Sequence, residues 1–237
     1  YSDTNDLTNS GNVTVTATAG DAIVTGGEAD AYADAYGLDA SGDLVNSGTG
    51  TVVATGGIAD GNDADAEAYA IGLEGDTITN SGAVSVSATA GDASALDSDP
   101  SADAYAYGIW AAGDVNNAGR LTVIAETPVE GATSTAYGIY MGADGTLTNT
   151  ATIHVEGDTA YEVYIPSGRD VTLVDTYRVT LDGDPNVGSI YVGAESTLDL
   201  NDSHLTVDGI VGETIWDTEY RLFQLDPNGA VDGNFVD

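Results

Sequence analysis

Residues 104–109 read Ala-Tyr-Ala-Tyr-Gly-Ile, and residues 113–119 follow them as Gly-Asp-Val-Asn-Asn-Ala-Gly. The same unit recurs on both sides, as Ala-Asp-Ala-Tyr-Gly-Leu at 33–38, Ala-Tyr-Ala-Ile-Gly-Leu at 68–73 and Thr-Ala-Tyr-Gly-Ile at 135–139. Each unit has an apolar anchor residue, and the anchors are Leu38, Leu73, Ile109, Ile139, Ile165, Ile190 and Ile215. They lie 35, 36, 30, 26, 25 and 25 residues apart, and a recurring period of this length indicates a solenoid.

The segments between the anchors alternate apolar and polar residues with a period of two. Residues 12–18, 83–89 and 151–155 show this alternation, which is typical of half-buried strands, and each unit ends in Gly, Asp and Asn residues that favour turns. A coil of about three short strands cannot bury its inner face alone, whereas stacked coils with parallel strands ~4.8 Å apart can. We therefore predict an all-β fold, a right-handed parallel β-helix (solenoid) of about seven coils, whose hand follows the general rule for parallel crossovers.

Alanines mark the inner face of the predicted solenoid. Alignment on the repeated glycine places four of them in one column: Ala35, Ala70, Ala106 and Ala136. Positions of the opposite parity hold rows of Asp and Glu, which cannot face a dry core because an unpaired buried charge is prohibitive. We therefore expect alanines inside and acids outside, with the glycine bending the chain so that Leu38 and its equivalents turn inward.

Five asparagines recur at one offset from the anchors: Asn9, Asn46, Asn80, Asn117 and Asn149. Asparagines at the same turn of successive coils can bond amide to amide, as side-chain ladders do in cross-β structures. The alternative is that Asn favours turns for local reasons alone. We favour a structural ladder, because the repeating neighbours put each asparagine at the same position in its coil.

The composition restricts the partners of the chain. Among 237 residues there are 39 Asp plus Glu, 4 Arg, no Lys and no Cys, which gives a formal net charge of −35. Such a surface should attract divalent cations and repel nucleic acid and anionic membranes, since both of these bind clustered Lys and Arg. The sequence shows no signal peptide or apolar membrane-spanning run, and we expect no nucleic-acid partner and no direct membrane insertion of this segment.

The repeat, with its Ala-Tyr-Gly-Ile and Gly-x-(Leu/Ile/Val)-x-Asn-(Ser/Ala)-Gly segments, resembles the β-helical passenger repeats of bacterial autotransporters and related secreted adhesins. The segment from Tyr220 to Phe235 resembles the last coil of such a passenger. The resemblance covers essentially the whole chain. It implies an extracellular or cell-surface protein with a role in adhesion, and it implies no catalytic residue. We assign residues 1–213 to repeat coils and residues 214–237 to a C-terminal capping coil of the same domain.

Clustered acids suggest a metal site. The candidate ligands lie in two neighbouring coils: Asp60, Asp63, Asp65, Glu67, Asp97, Asp99 and Asp103. Like charges this close repel each other, and Ca²⁺, which accepts six to eight oxygens in irregular loops, would offset the repulsion. The alternative is a solvated acidic face that keeps the protein soluble, and neither a Gly-Gly-x-Gly-x-Asp repeat nor an EF-hand loop is present.

Aromatic residues also fall into columns: Tyr36, Tyr107 and Tyr137 form one, and Tyr69 and Tyr105 form another. If exposed, these rings would form a contact surface suited to sugars or protein partners. Alternatively, they stack on one another and stabilise the solenoid. The sequence leaves both interpretations open.

No residue stands out as catalytic. With 39 acids, carboxylate pairs arise by chance, and each of the two histidines, His154 and His204, lies on an alternating strand. We predict a non-enzymatic structural or adhesive rod on the bacterial surface that contacts a host cell, a neighbouring cell or a glycan. One alternative is an extracellular filament or matrix subunit that self-associates end to end through open strand edges. A second is a polysaccharide-active β-helix enzyme.

Overall fold

The computed structural model describes residues 6–95, 100–129, 132–180, 190–208 and 222–236. All regular structure in these ranges is β-strand, and strands of successive coils pair in parallel. They form a β-solenoid of about six turns, which confirms the predicted fold class with about one coil fewer. The right-handed sense and the domain boundary at 213/214, which lies outside the described residues, stay predictions. These ranges contain no helix that is long and apolar enough to cross a membrane.

Four stacks of strands form the walls of the solenoid, and we name each by its most characteristic residue or by its length. The asparagine sheet contains β1 (Leu7–Asn9), β5 (Leu44–Asn46), β9 (Ile78–Asn80), β13 (Val115–Asn117), β16 (Gly145–Asn149), β19 (Asp170–Thr180), β21 (Thr197–Asp199), β24 (Ala230–Asp232) and, beside β19, β22 (His204–Asp208). The valine sheet contains β2 (Asn12–Thr18), β6 (Thr49–Thr55), β10 (Val84–Thr89), β14 (Leu121–Glu126) and β17 (Ile153–Glu156).

The other two walls differ greatly in length. The short sheet contains β3 (Ala22–Ile23), β7 (Ala59–Gly61) and β11 (Ala93–Ala95). The tyrosine sheet contains β4 (Glu28–Asp39), β8 (Asp63–Gly75), β12 (Ala104–Ala111), β15 (Ser134–Met141), β18 (Thr159–Ile165), β20 (Ile190–Val192) and β23 (Phe223–Leu225). The first three coils therefore carry four strands each, one more than the sequence predicted, and this extra strand accounts for their longer period.

The tyrosine sheet shows why the chain alternates as it does. In β4 the alanines are buried while the residues between them, such as Asp30 and Asp34, are exposed. Because the buried side chains are small, the tyrosine sheet can pack close to the facing valine sheet. The acidic side chains remain in water. A second, smaller core of alanines lies beneath the short sheet: Ala29, Ala31, Ala59, Ala64 and Ala66.

The repeated glycine reverses the inward and outward parity within the first four strands of the tyrosine sheet, β4, β8, β12 and β15. In β12, Ala106 and Ile109 are both buried although they lie an odd number of positions apart, three, and Gly108 lies between them. A Cβ atom on Gly108 would lie 2.6 Å from the Gly138 carbonyl oxygen and 2.8 Å from Cγ2 of the buried Val123. The glycine is therefore required by close approach of the next coil, and it allows the apolar anchor to enter the core as the sequence predicted.

The anchor column differs from the predicted one after the fourth coil. Ile139 pairs with Val163, Val163 with Ile190, and Ile190 with Phe223. The predicted anchor Ile165 was wrong: it pairs with Val192 and lies two residues further along the strand. Both Val163 and Ile165 are fully buried, so apolar parity alone does not distinguish them. Ile215, the last predicted anchor, lies outside the described residues.

Candidate functional site

An unbroken asparagine ladder lies inside the asparagine sheet. The side-chain amide of each asparagine donates to the side-chain oxygen of the next, at 2.9 Å from Asn9 to Asn46 and 2.8 Å at each later step through Asn80, Asn117 and Asn149. The last four asparagines are fully buried. Each is the final residue of its strand, and the backbone of the residue two positions later supplies further bonds, as between Asn46 and Gly48. These buried asparagine amides are thus paired, as burial requires.

The ladder ends where a tyrosine replaces the next asparagine. Tyr177 pairs with Asn149 after a shift in the β16–β19 register, and the Asn149 side-chain amide donates at 2.8 Å to the carbonyl of Arg178 instead. The Tyr177 hydroxyl is buried and donates to Glu162 Oε2 at 3.4 Å. Glu162 is itself only 3% exposed, because it occupies the position that Gly138 holds one coil earlier. Burial and the nearby Glu162 charge raise the pKa of Tyr177 well above its usual value.

Aromatic rings form a second ladder on the outer face of the tyrosine sheet. Rings in successive coils contact one another at centroid distances of 4.6–6.4 Å. The series comprises Tyr36, Tyr69, Tyr105, Tyr107, Trp110, Tyr137, Tyr140, Tyr161, Tyr164 and Tyr191. All five tyrosines predicted to form a contact surface belong to it.

The two ends of this aromatic ladder differ in how the rings face each other. Tyr140, Tyr164 and Tyr191 are nearly parallel, with interplanar angles of 13° and 1°, so each ring covers the face of its neighbour. In the first coils, Tyr36 and Tyr69 are inclined at 47°, and Tyr36 is 46% exposed. Both interpretations of the aromatic columns therefore have a basis: near-parallel stacking occurs between Tyr140, Tyr164 and Tyr191 in the later coils, and Tyr36 exposes ring surface in the first.

The acids around the first rings give this face a negative potential. Burial raises the pKa of Tyr69, with neighbouring tyrosines and Glu74 adding to the effect. Burial also raises the pKa of Tyr105, and the charges of Asp103 and Glu67 raise it further. For Tyr107, burial together with neighbouring tyrosines raises the pKa to about 12. The hydroxyls therefore stay protonated at neutral pH, and the local charge comes from the carboxylates.

Five of the seven predicted metal ligands lie within the described residues. Asp60 is on the short sheet, Asp63, Asp65 and Glu67 follow on β8, and Asp103 immediately precedes β12. Two of these side chains have hydrogen-bond partners in the fold, since Asp103 accepts from Ser101 Oγ at 2.7 Å and Asp65 from the Tyr32 hydroxyl at 3.5 Å. Asp97 and Asp99 lie outside the described residues. In the ranges that are described, no group of three or more His, Asp or Glu side chains is placed to hold a metal ion, and calcium stays a prediction.

The corner aspartates have a role that the sequence analysis missed. A carboxylate oxygen at the start of a strand accepts a backbone N–H from the following coil, as between Asp6 and Asp43 at 3.1 Å and between Asp114 and Thr146 at 2.7 Å. Asp21 and Asp144 do the same for Ile58 and Asp170. Some acidic side chains thus form hydrogen bonds between adjacent coils in addition to giving the surface its negative charge. The repeated Gly-Asp before a strand of the asparagine sheet is a sequence signal for Asp114 alone among these four residues, and its partner becomes visible only with the coil register.

A cavity of about 580 Å³ opens at the carboxyl ends of the valine-sheet strands β14 and β17, beside the start of β15. Its walls include Glu126, Pro128, Ser134, Glu156 and Asp158. The Ser134 hydroxyl donates to Asp158 at 2.8 Å, and nearby His154 bonds to Glu156 at 2.8 Å. The histidine therefore contacts a carboxylate rather than the serine hydroxyl, and the arrangement does not form a nucleophile–base pair.

Comparison of the chain with protein-family models, with curated proteins and with solved structures found no match. The function is therefore argued from the two ladders and the outer face of the tyrosine sheet.

Proposed function

We propose that this chain is a stiff structural rod of a bacterial cell-surface protein, and that its outer face makes adhesive contacts without enzymatic activity. The observation that carries the proposal is the coincidence of two ladders along one stack of coils. Hydrogen bonds between buried asparagines fix the register from inside, and stacked rings reinforce it from outside. In the first three coils each coil pairs with its neighbour along all four walls, and the asparagine and tyrosine sheets continue this pairing into the later described coils, which favours a stiff rod.

The extracellular setting is supported by the resemblance of the repeat to passenger repeats and by the composition. A net charge of −35 without lysine or cysteine keeps such a rod soluble and requires no oxidising folding step. The exposed, inclined rings of the first coils supply contact area for a host cell, a neighbouring cell or a glycan.

Adhesion under flow tests this proposal. Beads coated with the protein would be passed over epithelial cells, bacterial cells and immobilised glycans, and retention would be compared with albumin-coated beads. We expect retention on at least one of these surfaces and no release of reducing ends from a soluble polysaccharide panel. Failure of retention on all surfaces, or release of reducing ends, would contradict the proposal, and the second result would favour the enzyme.

The first coil favours a second candidate, end-to-end self-association into a filament. β1, β2, β3 and β4 are the outermost strands of their sheets among the described residues. Asn46 Oδ1 accepts two hydrogen bonds, one from the Asn9 side-chain amide and one from the Gly48 N–H. Asn9 Oδ1 accepts a hydrogen bond from the Gly11 N–H. A further coil could therefore extend the ladder at Asn9. Electron microscopy of the purified protein distinguishes the two states, since fibres indicate a filament subunit and short separate rods indicate the adhesive rod.

A further inference from the structure

The outer face of the tyrosine sheet in the first three coils combines rings and carboxylates on one surface. Tyr69 is at its centre, with ring centroids 6.0 Å from Tyr36, 6.4 Å from Tyr105 and 5.3 Å from Tyr107. These three pairs are inclined at 46–48°, unlike the Tyr140–Tyr164 and Tyr164–Tyr191 pairs at 13° and 1°, although Tyr107 also stacks on Trp110 at 28°. We call these four rings, with Asp34, Glu67, Glu74 and Asp103, the tyrosine–carboxylate surface.

The carboxylates stand beside the rings because of strand geometry. Glu67 and Tyr69 are two residues apart on β8 and share a face, which separates their Cα atoms by about 6.6 Å. Asp103 has the same relation to Tyr105 on the next strand, and it lies beside Glu67 because Ala104 pairs with Ala68. A planar cation over either ring is therefore within reach of a carboxylate.

The three strands that carry this surface, β4, β8 and β12, contain no basic residue. The four arginines are at positions 120, 169, 178 and 221, outside β4, β8 and β12. Burial raises the pKa of Glu67, and the charges of Asp103, Asp34 and Asp65 raise it further, which is the effect expected of an excess of negative potential. A cationic partner would complement the charge of this aromatic face.

We propose that the tyrosine–carboxylate surface binds an arginine-bearing polypeptide segment. This inference rests on the proposed adhesive function and names the chemistry of its partner. A guanidinium group stacks on a tyrosine ring and also donates two parallel hydrogen bonds to a carboxylate, whereas a lysine ammonium is a compact, strongly hydrated charge that gains less from the rings. A neutral glycan would contact the rings and leave the carboxylates without a counter-charge, and an anionic glycan would be repelled.

Labelled oligo-arginine and oligo-lysine peptides of equal length test the proposal by fluorescence anisotropy at physiological ionic strength. We expect the protein to bind oligo-arginine more tightly by about two- to fivefold, the range that corresponds to a cation–π contact at an exposed site. Tyr69→Leu should remove most of this preference, and Tyr36→Leu, at a more exposed ring, provides a second variant that is less demanding for folding. Tyr164→Leu, in the stacked part of the aromatic ladder, is the matched control and should keep the preference.

A pair of charge variants separates a local site from general attraction by an acidic protein. Glu67→Gln with Glu74→Gln should weaken oligo-arginine binding more than Glu126→Gln with Glu156→Gln, which removes the same charge from the valine sheet. Equal affinity for the two peptides, or equal losses in the two charge variants, would overturn the inference. Binding of neutral glycans instead of oligo-arginine would also overturn it while leaving the adhesive function standing, and that function fails separately if coated beads are retained on no surface.

Discussion

The side-chain amide of Asn80 donates a 2.8 Å hydrogen bond to the side-chain oxygen of Asn117, and both residues are fully buried although 37 positions separate them. This bond connects adjacent coils inside the core, where an unpaired amide is costly. Since each asparagine is both donor and acceptor, a slip of one coil against the next would break bonds on two sides. The ladder therefore fixes the register that positions the outer surface.

Removal of one amide from the ladder should destabilise the whole stack. Asn117→Ala leaves the Asn80 amide and the Asn149 oxygen without their partners, and each buried unpaired group costs about 1–3 kcal/mol. We expect a loss of about 2–5 kcal/mol in the free energy of unfolding, measured by urea denaturation. Asn116→Ala is the control, because Asn116 is adjacent but exposed, and it should change stability little. Equal effects of the two variants would show that the ladder is not stabilising.

The repeated glycine should tolerate no side chain. Gly108→Ala would force a Cβ atom against the Gly138 carbonyl and Val123, so we expect a loss of about 1–3 kcal/mol from strain. Gly20→Ala is the comparison, since no atom lies within 4 Å of the added carbon at that exposed turn. Thermal unfolding followed by circular dichroism measures both variants. A Gly108→Ala protein as stable as the wild type would mean that the coils can separate locally without cost.

Stacked rings in the later coils should contribute to stability rather than to binding. Tyr164 contacts four other rings, among them Tyr191 at 4.6 Å, and each aromatic pair contributes about 0.5–1.5 kcal/mol beyond its buried area. We expect Tyr164→Leu to lower the free energy of unfolding by about 1–3 kcal/mol. Tyr32→Leu, at a ring that is 50% exposed, should have a much smaller effect. If both variants lose the same amount, the stacking contributes nothing specific.

Acidification should stabilise the tyrosine sheet. Burial raises the pKa of Glu67 and of Glu74 above the ordinary value of 4.5, with further contributions from Asp103 and Asp39 respectively. A carboxyl whose pKa is raised on folding binds its proton more tightly in the folded state. Its stabilising contribution is therefore fully present below pH 4.5 and is lost as the pH rises through the folded pKa.

The measurement for this pH effect is the melting temperature between neutral pH and about pH 5. We expect a rise on acidification that is smaller in the Glu67→Gln, Glu74→Gln double variant, since the amides do not titrate. A rise of the same size in the double variant would assign the effect to other carboxylates, and a fall in the wild type would contradict the sign.

The sequence predicts those features that depend on position within one coil. Alanine parity, the bend at Gly108 and the offset of Asn80 repeat with recognisable neighbours, so each could be assigned from the sequence alone. The anchor in the fifth coil could not, because Val163 and Ile165 are both apolar and both face inward. Their assignment requires the number of residues in the coil, which changes when the short sheet ends.

Contacts between coils were the part that sequence patterns did not reveal. The hydrogen bond from the Asp43 N–H to the Asp6 carboxylate joins two adjacent coils. Predicting it requires the register between β1 and β5, the strands that these two residues precede. The buried Glu162 was likewise hidden, because its position is recognisable only once Tyr161 is paired with Tyr137. A carboxylate in the column of glycines is the feature that would have indicated a change in the core.

Single-molecule force spectroscopy tests the central claim, that two ladders make the coil stack a rod fit to bear load at a surface. The protein would be pulled from its two ends, and the unfolding force would be compared among the wild type, Asn117→Ala and Asn116→Ala. We predict that the wild type and Asn116→Ala stay folded to the same force and that Asn117→Ala unfolds at a clearly lower force. Unravelling of all three proteins at one low force, coil by coil, would contradict the claim.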